Sequence, residues 1–276
     1  MRADLHIHST YSDGLCSPDE ICRLAWQRGV QLLSITDHDT MNGEEIKRAS
    51  AEKYGIRYLS GWEISAYDKE EKIHILGYGC QRNQAYIQFM EDRKEMAQKR
   101  AADRLEKMRK IGVPVTMEHV GSFRADPTAP IHTMHVARAL AMFLDATPSQ
   151  VYQQYLDRGK IAYSDIGRPT PEEAIDCVHA SGGFAVLAHP GRIHLPHEEK
   201  ENLIRTLAQY GADGIEAVYT THTDEERIWF QTLAEKYHLL VTGGSDTHVE
   251  DETHIVGQPV FRADEKLLEK IAKACQ

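Results

Sequence analysis

The sequence has little of what marks membrane-spanning or secreted proteins. Its 276 residues contain no run of about 18 apolar residues, so no membrane span is predicted. The first residues, MRADLHIHST, lack the apolar core of a signal peptide, which favours a cytoplasmic protein. Hydrophobic residues make up 41% of the chain, a share typical of soluble globular proteins.

Positive charge and paired cysteines are also scarce. The 32 lysine and arginine residues face 42 aspartate and glutamate residues, which gives a net charge of −10. Because binding to long nucleic acid depends on lysine and arginine facing phosphate, we expect no binding to long duplexes, and any phosphate recognition must be local. The five cysteines are scattered and form no C-x-x-C pair, so reduced thiols are expected rather than a zinc knuckle or disulfides.

Short apolar runs alternate with helix-like segments. Two helices are predicted from capping boxes with proline at the first helical position, at Ser17-Pro18-Asp19-Glu20 and Thr170-Pro171-Glu172-Glu173. The alternation predicts an α/β fold with a parallel sheet or barrel. The predicted strands are residues 3–9, 31–38, 56–65, 72–79, 183–190, 214–219 and 239–248.

One long segment breaks this alternation. Residues 86–165 have the pattern of charged, amphipathic helices, such as YIQFMEDRKEMAQKRAADRLEKMRKIG. The sequence therefore predicts an α/β core in two parts, residues 1–85 and 166–276, with a helical insertion over 86–165 between them.

Histidines and carboxylates are concentrated at the ends of the predicted strands. In α/β folds the active site is built at the carboxyl ends of the strands, so we expect these residues to meet there. A cluster of ionised acids and imidazoles is unfavourable unless cations fill it, which predicts a metal centre. One exception is His74, which lies near the start of its run. The residues are His6, His8, Asp37, His38, Asp39, Glu63, His74, His189, Glu216, Asp246 and His248.

The mix of ligand types narrows the choice of metal. It contains imidazole and carboxylate without thiolate, which suits Zn, Mn, Fe or Co and is too rich in nitrogen for a dedicated Mg or Ca site. Six histidines and three carboxylates from this set would already be too many ligands for one ion. We therefore expect two or three divalent ions, Mn, Zn or Fe, that share a bridging carboxylate.

Seven short motifs together resemble the PHP family, which is named for polymerase and histidinol phosphatase. They are His6-x-His8, Asp13, TDHDT (36–40), GWE (61–63), His74, AHP (188–190) and GSDTH (244–248). The helical segment, with HVARAL (135–140) and YLDRGKIAY (155–163), is similar to that of small PHP phosphoesterases. This subgroup includes nucleoside 3′,5′-bisphosphate phosphatases and a 5′-to-3′ exoribonuclease.

The resemblance implies a distorted seven-stranded (β/α)7 barrel with the helical insertion over the active site. It also implies a centre of three metal ions. The first ion is assigned to His6, His8, Glu63 and Asp246. Glu63 bridges to a second ion held by His74 and His189, and the third is assigned to Asp13, His38 and His248.

The resemblance further implies hydrolysis of phosphate esters. Three carboxylates and three divalent ions leave the centre with a charge of about +3, and clustered ions lower the pKa of a bridging water. The predicted nucleophile is thus a metal-bound hydroxide. The expected substrates are small: a nucleoside 3′,5′-bisphosphate, a nucleoside monophosphate or short 5′-phosphorylated RNA.

Five residues outside the ligand set are predicted to contact substrate: His135, Arg192, His222, Lys160 and Arg138. Arg192 lies two residues after the AHP motif (AHPGR), and His135 begins HVARAL. Many members of the subgroup carry an arginine two residues before the histidine that matches His135, whereas this chain has Thr133. If that arginine binds a phosphate of the substrate in those relatives, this chain has lost the contact or supplies it from another residue.

Three other functions fit the same motifs. One is histidinol phosphatase, although the long helical insertion favours the nucleotide enzymes. Another is a non-catalytic, metal-stabilised binding module, like the PHP domains of some DNA polymerases. The third is a metal-dependent amide hydrolase. The ligand types do not distinguish Mn, Zn and Fe, and the sequence does not identify protein partners.

Overall fold

The computed structural model describes four stretches of the chain, residues 1–69, 71–124, 131–251 and 254–274. The chain divides into two compact units. The first unit joins Met1–Tyr86 to Pro169–Gln276, and the second is Ile87–Arg168. Among the described residues, no helix is both long enough and apolar enough to cross a bilayer.

Two sheets form the framework of the first unit. The four-stranded sheet has the order β3-β2-β1-β9, and the five-stranded sheet runs from β4 to β8 in sequence order. This mixed α/β arrangement confirms the predicted class, although the seven strands expected in one barrel are divided between two sheets. The strands are β1 (Arg2–Asp4), β2 (Leu32–Leu33), β3 (Arg57–Tyr58), β4 (Gly61–Asp68), β5 (Glu71–Tyr78), β6 (Phe184–Leu187), β7 (Gly214–Tyr219), β8 (Leu240–Gly244) and β9 (Phe261–Arg262).

Three strand pairings differ from the predicted parallel sheet, because β5 and β9 run opposite to their neighbours. β4 pairs antiparallel with β5, β5 pairs antiparallel with β6, and β9 pairs antiparallel with β1. Only residues 69 and 70 separate β4 from β5, and Lys69 has a φ of 53°. So short a connection can join only antiparallel neighbours, because a parallel pair needs a crossover of about a dozen residues.

Six α-helices accompany the strands among the described residues of the first unit. The capping boxes at Ser17 and Thr170 are both present, so these two predicted helix starts are confirmed. Apolar side chains such as Leu32, Tyr78 and Phe184 are buried between helices and sheets. The helices are α1 (Pro18–Gln27), α2 (Glu44–Lys53), α7 (Pro171–Ala180), α8 (His197–Tyr210), α9 (Asp224–Lys236) and α10 (Glu265–Ala274).

Backbone bridges also join the segments that follow the strands of the two sheets. Ile7, beyond the end of β1, bridges in parallel to Thr247 beyond β8. His38, beyond β2, bridges in parallel to Glu63 in β4. These bridges bring the segments that carry most of the predicted ligands side by side.

The elements described in the second unit are helical, and they pack on a core of their own that includes Leu105, Val115, Val136 and Leu140. Its placement over the active site stays a prediction, as do the exact domain boundaries. The helices are α3 (Gln84–Lys110), α4 (Met117–Gly121), α5 (Thr133–Ala141) and α6 (Pro148–Val151), which continues into a π-helical turn (Tyr152–Leu156).

Candidate metal centre

Most predicted ligands lie just beyond the carboxyl ends of strands of the first unit, as the α/β pattern requires, although Glu63 is the third residue of β4. His74 lies early in β5, which set it apart in the sequence. Because β5 runs antiparallel to β6, this early position lies beside the carboxyl end of β6, and the backbone N–H of Ala188 donates to the carbonyl of His74 at 3.0 Å. The reversed strand thus brings His74 next to His189.

Glu63 occupies the middle of the cluster and is fully buried. Its two carboxylate oxygens face five imidazole rings, an arrangement suited to a bridging ligand. From Oε1 the distances are 2.6 Å to His74 Nδ1, 3.0 Å to His189 Nε2 and 3.4 Å to His6 Nε2. From Oε2 they are 2.9 Å to His38 Nδ1 and 3.3 Å to His8 Nε2.

The other two carboxylates differ in their surroundings. Asp246 is almost fully buried, and its Oδ1 lies 3.0 Å from His8 Nε2 and 3.4 Å from His6 Nε2. The side chain of Asp13 is 58% exposed, and its nearest imidazole nitrogen, Nε2 of His248, is 3.4 Å from Oδ1. The nitrogens of His8 and His38 are farther from Asp13, at 3.9 and 4.0 Å.

The donor atoms fall into three overlapping groups, within each of which all donors lie within 4.8 Å of one another. His189 adjoins the last group, since its Nε2 is 3.2 Å from His74 Nδ1. The structure therefore brings all nine predicted ligands together, in a cluster able to bind metal ions. The groups are His6, His8, Glu63 and Asp246; His8, Asp13, His38 and His248; and His38, Glu63 and His74.

Buried donor atoms in the cluster fit divalent cations. Within the described stretches, eight of them have no hydrogen-bond partner, although burying a polar atom unpaired is costly. Many donor pairs are 3.0–3.4 Å apart, close to the roughly 3.4 Å between two ligands of a tetrahedral zinc ion. The atoms are His6 Nε2, both ring nitrogens of His8, His38 Nδ1, Glu63 Oε2, His74 Nε2, His189 Nδ1 and Asp246 Oδ1.

Interactions among the protein side chains favour an ionised Glu63, a neutral His74 and a protonated His8. Burial raises the pKa of Glu63, but the facing rings of His74 and His38 lower it further, so that its pKa lies well below the usual range. Burial lowers the pKa of His74 to about 3, which leaves its ring neutral. Burial also lowers the pKa of His8, but Asp246 and Glu63 outweigh it and raise this pKa to about 9. His8 must therefore release a proton before it can bind a cation.

Glu216 supports the cluster from behind and was not among the predicted ligands. Its carboxylate oxygens lie 3.0 and 3.1 Å from His6 Nδ1, and Oε2 accepts the backbone N–H of His189 at 2.8 Å. A carboxylate on the far nitrogen fixes the tautomer and orientation of a ligand imidazole. Its position at the end of a strand beside the ligands was the only signal for it in the sequence.

Tyr219 and Arg192 support Asp246 in a similar way. The Tyr219 hydroxyl donates to Asp246 Oδ2 at 2.7 Å, and Arg192 Nη1 donates to the same oxygen at 3.1 Å. This arrangement leaves Oδ1 facing the imidazoles. The sequence reasoning did not identify Tyr219, because nothing in the sequence distinguishes this tyrosine from a core residue.

The backbone of the cluster includes two unusual conformations and one close approach. His189 and Asp246 have positive φ angles of 24° and 51°, in a region that costs energy for residues other than glycine. Gly244 passes so near β1 that a Cβ added to it would lie 2.4 Å from the Cβ of His6. The GSDTH motif thus needs its glycine for β8 to run beside His6.

The predicted substrate contacts lie in both units. Arg192 adjoins Asp246, and its side chain is 55% exposed. His222 is buried instead, with Nε2 accepting the backbone N–H of Gly191 at 3.0 Å and Nδ1 placed 3.1 Å from the carbonyl of Ala217. His222 therefore supports the Pro190–Arg192 turn, and its contact with substrate stays a prediction. His135, Arg138 and Lys160 lie in the second unit, and their substrate contacts stay predictions.

The guanidinium of another arginine lies beside Thr133, the position at which many members of the subgroup carry an arginine. Arg104, buried on α3, donates from Nη1 to the Thr133 hydroxyl at 2.7 Å. Arg104 precedes Thr133 by 29 residues in the chain. The sequence alone could not show this, because the two residues meet only through the packing of α3 against α5.

Three characterised relatives are similar over most of the chain. A 5′-3′ exoribonuclease from Salmonella typhimurium is 34% identical over 249 residues, 89% of this chain and 84% of the relative. A phosphoribosyl 1,2-cyclic phosphate 1,2-diphosphodiesterase from Eggerthella lenta is 32% identical over 253 residues, 90% and 94% of the two chains. A 3′,5′-nucleoside bisphosphate phosphatase from Chromobacterium violaceum is 31% identical over 257 residues, 90% and 88%.

The fold is also similar to that of a solved structure. An amidohydrolase from Chromobacterium violaceum, solved with bound sulfate and no metal, superposes with a TM-score of 0.76 at 28% identity, over 99% of this chain and 97% of the other. The family model of the PHP domain matches residues 4–274. Together with the clustered motifs, this match shows that the chain belongs to the PHP domain family.

Proposed function

We propose that this chain is a metal-dependent phosphoesterase that hydrolyses phosphate esters of nucleotides. The observation that carries the proposal is the cluster of nine imidazole and carboxylate residues around the buried carboxylate of Glu63. Relatives named as a nucleoside bisphosphate phosphatase and an exoribonuclease support the reaction class and the nucleotide substrate.

We assign three divalent cations to the cluster. His6, His8, Glu63 and Asp246 hold the first, and Glu63 with His74 and His189 holds the second. His38 faces both Glu63 and Asp13, at 2.9 and 4.0 Å, and is shared between the second and third donor groups. We place it with Asp13 and His248 on the third cation.

The strands around the cluster fit one distorted seven-stranded barrel. β3 and β4 are separated only by residues 59 and 60 and count as one strand of that barrel. The bridges Ile7–Thr247 and His38–Glu63 then link the two sheets at both ends. Such closure supports the barrel proposal and accounts for the gathering of ligands from several strands at one mouth.

When bound, divalent cations attract phosphate oxygens and make water a stronger nucleophile at neutral pH. The ionised carboxylates of Glu63 and Asp246 balance their charge. Arg192 donates to Asp246 and keeps more than half of its side chain exposed, so its remaining N–H groups can bind a phosphate oxygen of the substrate.

The second unit differs in charge from the rest of the chain. Residues 87–168 carry 13 lysine and arginine residues against 10 acidic ones, a net charge of +3, whereas the rest of the chain carries 19 against 32, or −13. Arg138 and Lys160 are exposed on this unit. We assign these residues, with His135, to the phosphate or ribose groups away from the scissile bond.

The experiment that tests the proposal is phosphate release from adenosine 3′,5′-bisphosphate. Wild-type protein is assayed with Mn²⁺ and with chelator, next to Asp246→Ala and the exposed control Glu235→Gln. We expect release that requires Mn²⁺, is lost in Asp246→Ala and persists in the control. Short 5′-phosphorylated RNA and a 1,2-cyclic phosphate ester, assayed in parallel, define the substrate range.

Failure of this assay separates the alternatives. Release from histidinol phosphate, with none from the nucleotides, identifies the other phosphatase function of the family. Turnover of an amide alone identifies an amide hydrolase. Metal-dependent stability without turnover of any of these compounds identifies a binding module and rejects the enzyme proposal.

A further inference from the structure

Lys47 is a fully buried lysine on α2. Its Nζ lies 2.7 Å from Asp37 Oδ2 and 3.5 Å from Glu44 Oε1, and it also donates to the carbonyl of Ile35 at 3.4 Å. A buried ion pair often contributes no more stability than well-packed apolar residues of similar volume. The pair therefore needs an explanation other than stability.

The partner of Lys47 holds a surface loop. The Asp37 carboxylate accepts the backbone N–H of Ser9 at 2.7 Å, the Ser9 hydroxyl at 2.8 Å and the Ser12 hydroxyl at 2.8 Å. Together with Lys47, these contacts give Asp37 four donors. One carboxylate thus fixes both ends of the segment from Ser9 to Ser12.

This network adjoins the donor group of His8, Asp13, His38 and His248, called the outer donor group here, at three points along the chain. Ser9 follows His8, Ser12 precedes Asp13, and Asp37 precedes His38. The loop is also tight, since a Cβ on Gly14 would lie 2.2 Å from the carbonyl oxygen of His8. Three of the four residues of the outer group therefore adjoin a residue that Asp37 and Lys47 hold in place.

The position of the Asp13 side chain depends more on the loop that carries it than the position of the buried Asp246 side chain depends on its own backbone. Asp246 is held by direct hydrogen bonds to its own side chain, whereas within the described stretches the side chain of Asp13 faces the imidazoles of the outer group. The position of Asp13 is thus determined by its loop.

We propose that Lys47 is a positioning residue for the outer cation site. By holding Asp37, it fixes the Ser9–Gly14 loop and keeps Asp13 within reach of His8, His38 and His248. The inference rests on the proposed metal centre. It predicts that the affinity of the outer cation depends on a lysine that does not touch that cation.

The test is equilibrium dialysis of the full chain against Mn²⁺, followed by metal analysis. Lys47→Met is compared with Lys53→Met, which removes an exposed lysine of the same helix that pairs with Asp19 at 2.7 Å. Asp13→Asn serves as the reference for loss of the outer site. We expect Lys47→Met to weaken one Mn²⁺ equivalent by about 10–100-fold, the range seen when support behind metal ligands is removed. The remaining equivalents and the Lys53→Met protein should bind as in the wild type.

A second variant keeps the test decisive if Lys47→Met does not fold. Asp37→Asn/Lys47→Met removes both charges of the closest pair, and Glu44, 3.5 Å from Lys47, keeps the Tyr58 hydroxyl as a donor at 3.0 Å. If the double variant unfolds at the wild-type temperature but binds the outer equivalent 10–100-fold more weakly, the positioning role is supported, because a purely structural role would lower stability instead. If it binds every equivalent as the wild type does, the inference is wrong while the metal centre stands. If wild-type protein binds no Mn²⁺, the proposed function itself fails.

Discussion

The two sides of the donor cluster differ in how firmly their ligands are held. On the inner side, Glu63 and Asp246 are buried and touch imidazoles at 2.6–3.4 Å. Glu216, Tyr219 and Arg192 fix the ligands from behind. On the outer side, Asp13 is 58% exposed, and its imidazole distances are 3.4–4.0 Å.

This difference indicates two tasks within one centre. Ligands that are already fixed bind a cation without losing further conformational freedom, so the inner side is suited to permanent binding. An open ligand on a loop binds more weakly and leaves space for water or substrate. We therefore expect the inner cations to be retained and the outer cation to exchange.

Glu63→Gln is expected to have the largest effect, because it removes the charge that faces five imidazoles. Affinity for the inner cations and the rate of phosphate release should fall by more than about 100-fold, since loss of a supporting contact alone costs about 10–100-fold. Metal analysis and the phosphate assay measure both. A Glu63→Gln protein that retains its metal and its rate would contradict the central position of this residue.

Glu216→Gln is expected to have the next largest effect. The amide no longer offers two equivalent anionic acceptors to His6 Nδ1 and the backbone N–H of His189, so the affinity for the inner cations should fall by about 10–100-fold. The outer equivalent should change less. Competition with a chelator measures the affinities, and the exposed Glu235→Gln is the control. Selective loss of the outer cation instead would reverse the assignment of the two sides.

Asp13→Asn is expected to affect the outer side alone. The affinity for one Mn²⁺ equivalent should fall by about tenfold or more. The inner equivalents should remain bound, because Asp13 belongs to neither of the donor groups that contain Glu63. The rate should fall less than in Glu63→Gln. Equal loss of all equivalents on titration with a chelator would show that the two sides are one cooperative site.

Asp213→Asn is expected to have the smallest effect on metal binding, since Asp213 lies at the opposite ends of the strands. Burial raises its pKa, but Lys270, 2.7 Å away, and His179, 2.8 Å away, lower it further, and the net pKa is below the usual range. The variant should lose about 1–3 kcal/mol of stability at pH 7.

The pH dependence of that loss has a definite sign. A carboxyl group whose pKa is lowered in the folded state stabilises it above the unfolded pKa, and this contribution disappears as the pH falls through the folded pKa. The stability difference between wild type and Asp213→Asn should therefore shrink below about pH 4, the usual pKa of aspartate. Urea unfolding at pH 7 and pH 3 measures it, and a constant difference would show that the ion pairs contribute nothing.

The sequence predicted the α/β class and most of the residues that the structure gathers in the cluster, because both depend on local patterns, whereas Asp13 came from the family resemblance alone. Apolar runs that end in histidine or a carboxylate mark strand ends at a site, and a serine or threonine cap with proline and glutamate marks a helix start. These signals are contained in a few neighbouring residues. They located His6, His8, Glu63 and Asp246 without any knowledge of the packing.

Strand direction and supporting contacts do not follow from the pattern of residues within a strand. The six residues between the predicted strands 56–65 and 72–79 were already too few for a parallel crossover, so the connection and not the strands carried the signal for the antiparallel β4–β5 hairpin. Glu216 and Lys47 act through partners 210 and 10 residues away in the chain. Such roles follow from tertiary packing, which no local pattern specifies.

The most direct test of the account is anomalous X-ray diffraction from crystals of the protein grown with Mn²⁺. We predict strong peaks on either side of the Glu63 carboxylate, one toward His6, His8 and Asp246 and one toward His74 and His189. A weaker peak should lie between Asp13, His38 and His248. Absence of any peak at Glu63 in a folded protein saturated with Mn²⁺ would contradict the metal centre, and with it the proposed reaction.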